Sequence, residues 1–151
     1  VAFAVVSLAA GLALLFGIIQ LADSGDVQLK LGDEVFEVGN AESRAERISA
    51  DGSPILFGSL SRSRPIYVQH LGENPKTGWF AIDARSPSDP DGCRNGLIWD
   101  QQLSMFVDSC AKSVVFDADG DNLLQYDIYV DMDGNLIVDL NQDKAKPQQD
   151  G

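Results

Sequence analysis

Apolar and polar positions alternate along this chain with more than one period, and the first 22 residues show no alternation at all. VAFAVVSLAAGLALLFGIIQLA contains no charged side chain. At helical rise such a segment reaches about 33 Å, enough to cross the hydrocarbon core of a bilayer, so a transmembrane helix is expected over residues 1–22. The apolar region of a cleaved signal peptide is shorter, roughly 7 to 15 residues, and ends at a small-residue site. LADSG is a poor site of that kind. Gly11 and Gly17 would let neighbouring helices approach closely.

After a polar connector, DSGD at 23–26, the segment VQLKLGDEVFEVG alternates as a half-buried strand pair does. The period then lengthens. NAESRAERISADG opens on Asn40 as N-cap, spaces Ala41, Ala45 and Ile48 helically, and stops at Gly52 shortly before Pro54. SPILFGSL and RPIYVQHL read as strands around a polar SRSR turn, GWFAIDAR as another, and SPSDPDG as a loop. GLIWD and SMFVD form a short hairpin. YDIYVDMDGNLIVDL forms a second one, whose Asp133-Gly134 pair favours a tight type I′ turn with both central residues at positive φ. The expected fold is therefore mostly β: a small antiparallel domain over 27–141 with one short helix, preceded by the membrane helix and followed by a polar tail at 142–151.

Charge narrows the setting. All 11 basic and all 23 acidic residues lie beyond residue 22, so the net charge of −12 belongs to the polar part of the chain. The flank after the apolar segment carries Asp23, Asp26, Asp33, Glu34 and Glu37 against a single Lys30. Cytoplasmic flanks are rich in Lys and Arg, so the domain is expected outside the cytoplasm, periplasmic or extracellular, on a single-pass anchor in the bilayer. Such an acidic body repels nucleic acid and suits partners with basic surfaces.

Few constellations promise chemistry. DADGDNLLQYD places Asp117, Asp119 and Asp121 at the first, third and fifth positions of a calcium loop, but Asn122 stands at the glycine position and Ile128 at that of the bidentate glutamate. Aspartate and glycine make turns, and that suffices here. His70 is the sole histidine, without the partners that a hydrolase or a zinc site needs, and reads as exposed or locally hydrogen-bonded. Cys93 and Cys110 are the only thiols, each in a turn-like setting, and could be metal ligands, a redox pair or a structural disulfide.

The order of elements helps to choose between these. A strand, a Pro/Asp loop with Cys93, a hairpin, CAKSVVFDADG, a tyrosine-containing strand and the closing DGNLIVDL together resemble the Rieske iron–sulfur domain. Members of that family hold a [2Fe–2S] cluster with two cysteines and two histidines from two loops, and the respiratory members join the loops with a further cysteine pair. The resemblance implies that Cys93 and Cys110 are that disulfide pair. It also implies that the ligand positions are lost: Ser88 and Pro90 stand where the first Cys and His would lie, and Asp108 and Ala111 where the second would. No cluster, other metal or cofactor is then expected. A loop closed by such a disulfide contributes about 3 kcal/mol in the chain-entropy model, and an exported location favours the bond.

A membrane anchor with a stapled domain and no catalytic group is expected to be a non-enzymatic accessory or structural subunit of a membrane complex, respiratory or photosynthetic in kind. The resemblance implies that the two loops form a docking tip, with Asp89, Asp91 and Asp108 as an acidic rim and Arg94 and Lys112 as its positive charges. The competing classes are a redox or electron-transfer protein using the thiols or a metal, and a stand-alone ligand-binding ectodomain. Thiol chemistry is disfavoured by the seventeen-residue separation and by Asp89, Asp91, Asp108 and Asp117, since negative neighbours raise a thiol pKa.

Overall fold

The computed structural model describes residues 35–58 and 64–141. The expected membrane helix at 1–22, the connector, the first half of the 27–39 strand pair, most of the SRSR turn and the tail lie outside them. Among the described residues no helix is long and apolar enough to cross a membrane.

These residues form nine strands and one helix: β1 Val35–Asn40, α1 Ala41–Asp51, β2 Ile55–Phe57, β3 Ile66–His70, β4 Trp79–Asp83, β5 Leu97–Asp100, β6 Met105–Asp108, β7 Val115–Phe116, β8 Gln125–Val130 and β9 Asn135–Asp139. Pairing is antiparallel throughout, in a six-stranded sheet ordered β1-β9-β8-β4-β3-β2 and a three-stranded sheet ordered β5-β6-β7. A mostly antiparallel β domain with one short helix is thus present.

Helix α1 begins and ends where its local signals place it. The Asn40 side chain accepts from the Ser43 amide at 3.0 Å. Glu42 in the first turn suits the positive end of the helix dipole, and Ala41 and Ile48 are its buried residues. Gly52 takes the left-handed conformation at φ 60°, and its amide donates to Ile48 O at 2.9 Å. The last turn has no basic residue. Its free carbonyls are met instead from the β5–β6 hairpin, by Trp99 Nε1 on Gly52 O at 3.1 Å and Gln101 Nε2 on Asp51 O at 2.9 Å.

Two apolar cores flank the central strands. Every residue of β3 is buried. Ile66 and Val68 join Val38, Ile48, Trp79, Ala81, Tyr126, Leu136 and Val138 in one core. Tyr67, which points to the opposite face, joins Ile82, Leu97, Phe106 and Leu123 in the other. Both faces of β3 and β4 are therefore covered, which is why Ile66–Val68 and Trp79–Ile82 are apolar without alternation. Phe36 of β1 meets Phe57 of β2 edge to face at 5.3 Å, so the two end strands of the large sheet approach each other around the first core.

The β8–β9 hairpin lies where the sequence places it, but its turn differs. Only Gly134 has positive φ, at 83°, whereas Asp133 does not, so the turn is not type I′. Asp131 Oδ1 accepts the amides of Asp133 at 2.9 Å and Asn135 at 2.8 Å, and Asp131 O accepts the Gly134 amide at 3.2 Å. An aspartate-capped loop with one left-handed glycine has replaced the two-residue turn.

Phe106 is fully buried between Tyr67 at 5.1 Å and Trp99 at 4.9 Å and ties the small sheet to the large one. Phe106→Ala is expected to cost about 3 to 5 kcal/mol in urea unfolding, the range for removing a buried ring.

Candidate functional site

Two loops meet at one end of the domain. The first runs from Ala84 to Gly96 between β4 and β5, and the second from Ser109 to Val114 between β6 and β7. Cys93 and Cys110 are disulfide-bonded with Cα atoms 6.0 Å apart, and no described cysteine is free. Cys93 is buried and Cys110 exposed. Backbone bonds reinforce the staple, with the Ser109 amide donating to Gly96 O at 3.0 Å and the Leu97 amide to Ala84 O at 2.8 Å. Gly96 is required at this crossing: its φ is 56°, and a Cβ there would lie 2.1 Å from Ala84 O.

Beneath the disulfide sits Asp108, fully buried at the end of β6. Its Oδ1 accepts the amides of Cys110 at 2.9 Å and Ala111 at 3.2 Å. Its Oδ2 accepts Ser86 Oγ at 2.7 Å and, more distantly, the Ser88 amide at 3.4 Å. Ser86 Oγ in turn accepts the Asp89 amide at 3.1 Å, so one carboxylate organises both loops. Burial would raise the Asp108 pKa, but the bonds from Ser86, Ser88, Cys110 and Ala111 outweigh it and hold the carboxyl at about 2.

Asp108 therefore does not belong to an exposed acidic rim, because its carboxylate faces inward to satisfy the two loops. Asp89, Asp91, Arg94 and Lys112 are exposed at the tip. Asp89 also holds its own loop, accepting the Gly92 amide at 2.8 Å. Ser86, absent from the sequence-based site, proves central to it. Half of the network was signalled locally, since Asp-Ser-Cys-Ala is a sequence in which an aspartate accepts amides two and three residues on. The Ser86 half spans 22 positions and left no local signal.

A cavity of about 260 Å³ lies at the base of the tip, walled by Asp83, Arg85, Ser86, Pro87, Pro90 and Leu123 among others. The Arg85 guanidinium grips the Asp83 carboxylate, with Nη2 at 2.7 Å from Oδ2 and Nε at 3.0 Å from Oδ1. Tyr126 Oη donates to the same Asp83 Oδ2 at 2.9 Å, and burial together with the Asp83 charge pushes that phenol up to about 12. The cavity's charged groups are thus paired with each other.

Cys93, Asp108 and Cys110 form the one group of three metal-type donors within reach of a single ion among the described residues. The chemistry of this set does not fit an iron–sulfur cluster. Both sulfurs are spent in the disulfide, each Asp108 oxygen already accepts two bonds, and neither loop contains a histidine. His70, the sole histidine, is buried on β3, packed at a tilt against Trp79 at 4.5 Å and locally hydrogen-bonded through Nε2. No family model, curated protein or solved structure matches the chain.

Asp108→Ala would leave Ser86 Oγ and the Cys110 and Ala111 amides without their acceptor and is expected to cost about 2 to 4 kcal/mol in denaturant unfolding. Because the folded carboxyl titrates below its ordinary value of 3.8, its contribution is present above that value and lost as pH falls through about 2. Asp108→Asn should accordingly show a flatter stability profile between pH 4 and pH 2 than the parent protein, measured by denaturant midpoints at each pH.

Proposed function

We propose that this chain is a non-catalytic accessory subunit of a membrane complex of the electron-transfer kind, and that its domain is a Rieske-type domain without a cluster, used for docking or scaffolding. One observation carries the reading: two loops that would bear a cluster are stapled by the Cys93–Cys110 disulfide, while their buried carboxylate is fully occupied in holding the backbone. A tip built this way is stiff, and it presents Asp89, Asp91, Arg94 and Lys112 to solvent. The apolar composition of residues 1–22 supports attachment to a membrane outside the cytoplasm, and the net charge of −12 supports a partner with a basic surface. The redox reading is weaker, since a redox-active pair usually sits in Cys-x-x-Cys, whereas Cys93 and Cys110 lie 17 positions apart beside Asp89, Asp91 and Asp108.

Rim charges govern encounter and specificity more than deep affinity. Asp89→Asn with Asp91→Asn is expected to weaken co-purification with a basic subunit about three- to tenfold at low salt, and by less as salt rises. Unchanged co-purification at every ionic strength would remove the tip as the docking surface. Iron analysis and electron paramagnetic resonance of the native chain test the other half of the reading. No stoichiometric iron is expected, and a [2Fe–2S] signal would overturn it.

A further inference from the structure

One end of the Cys93–Cys110 bond is open to attack from solution. Cys110 is exposed, whereas Cys93 is only 8% exposed, so an incoming thiol meets Cys110 Sγ first. In such an exchange the attacking thiolate bonds to Cys110 Sγ, and the bond between the two cysteines breaks. Its electron pair leaves on Cys93 Sγ as a thiolate, which then takes up a proton. The second thiolate of a dithiol displaces Cys110 in turn, so the dithiol ends as a disulfide and the protein as two thiols.

Both sulfurs face a charge that opposes each of these steps. A carboxylate oxygen of Asp108 and the sulfurs of Cys93 and Cys110 all lie within 4.8 Å of one another. Asp108 is fully buried, and the four bonds it accepts come from neutral donors. Arg85 is engaged with Asp83, while Asp89, Asp91, Arg94 and Lys112 are exposed, where salt screens them. The only group favouring a Cys93 thiolate is the Ser109 hydroxyl, 3.1 Å from its sulfur, a neutral donor against a full charge. A carboxylate this close in a low-dielectric site raises the pKa of a neighbouring thiol, and a thiol of higher pKa leaves more slowly.

We infer that Asp108 guards the disulfide electrostatically: its buried charge disfavours both the thiolate that must approach and the thiolate that must leave, so the exposed bond exchanges slowly while the tip stays folded. This role is separate from the hydrogen bonds by which Asp108 orders the loops, and it holds whatever the tip docks to.

The test is the rate at which dithiothreitol reduces the folded full-length chain in neutral detergent, read by trapping the freed thiols and weighing the products. Asp108→Asn keeps an acceptor for the Cys110 and Ala111 amides but removes the charge, and should be reduced about tenfold faster than the parent. Ser86→Ala loosens the same network and keeps the charge, and should stay within about threefold of the parent. Equal acceleration in the two variants, or none in Asp108→Asn, would overturn the inference. A second readout needs no variant at the site. At salt high enough to screen the rim, and after correction for rates on a neutral model disulfide, the parent and the D89N/D91N variant should both react about threefold or more faster with cysteamine, a cationic thiol, than with anionic mercaptoacetate. Equal corrected rates for the two thiols would overturn it as well.

Discussion

A buried carboxylate cannot be left without partners, and that constraint on Asp108 shapes the whole tip. Two backbone amides come to it from its own loop, and a hydroxyl and a further amide come from the other. Leaving any of these donors unpaired in the interior costs more than an average hydrogen bond gains, so the loops are held together even before the disulfide is considered. The disulfide then acts mainly on the unfolded chain by limiting how far the two loops can separate. Staple and carboxylate therefore stabilise the same arrangement by different routes.

The contrast with Asp83 is instructive. Both aspartates are buried, but Asp83 is balanced by a full positive charge, Arg85, and by the Tyr126 hydroxyl. Asp108 keeps its charge through neutral donors only. Its network leaves no strong acceptor capacity toward solvent, and the cavity beside it is walled by charges already paired and by proline and leucine. What the tip offers to another molecule is shape and a few exposed charges, which is the physical basis for reading it as a contact surface.

The elements that could be read from the sequence are those whose signals lie within one or two turns of chain. Asn40 and Gly52 delimit α1 because capping and the left-handed glycine are local effects. The β8–β9 hairpin could be placed from its apolar runs, but its turn type could not, because the Asp131 carboxylate stabilises a longer loop than Asp133-Gly134 suggested. β7 went unread because Val115–Phe116 is too short to show a period. At the site, the disulfide pairing was expected from a resemblance in element order. The inward turn of Asp108 was not, because it depends on Ser86 in a distant segment.

The disulfide tip and the groove beside α1 are held apart by one strand of the core. The groove lies at the turn leading into β4 and the tip at the loop leading out of it, so the five residues of Trp79–Asp83 separate them. A strand of that length spans about 17 Å, roughly twice the Debye length of about 8 Å at physiological salt. Charges at one end are therefore screened from charges at the other. β4 is largely buried and hydrogen-bonded to β3 along its whole length, so the spacing between the tip and the β3–β4 turn is fixed by the core of the domain.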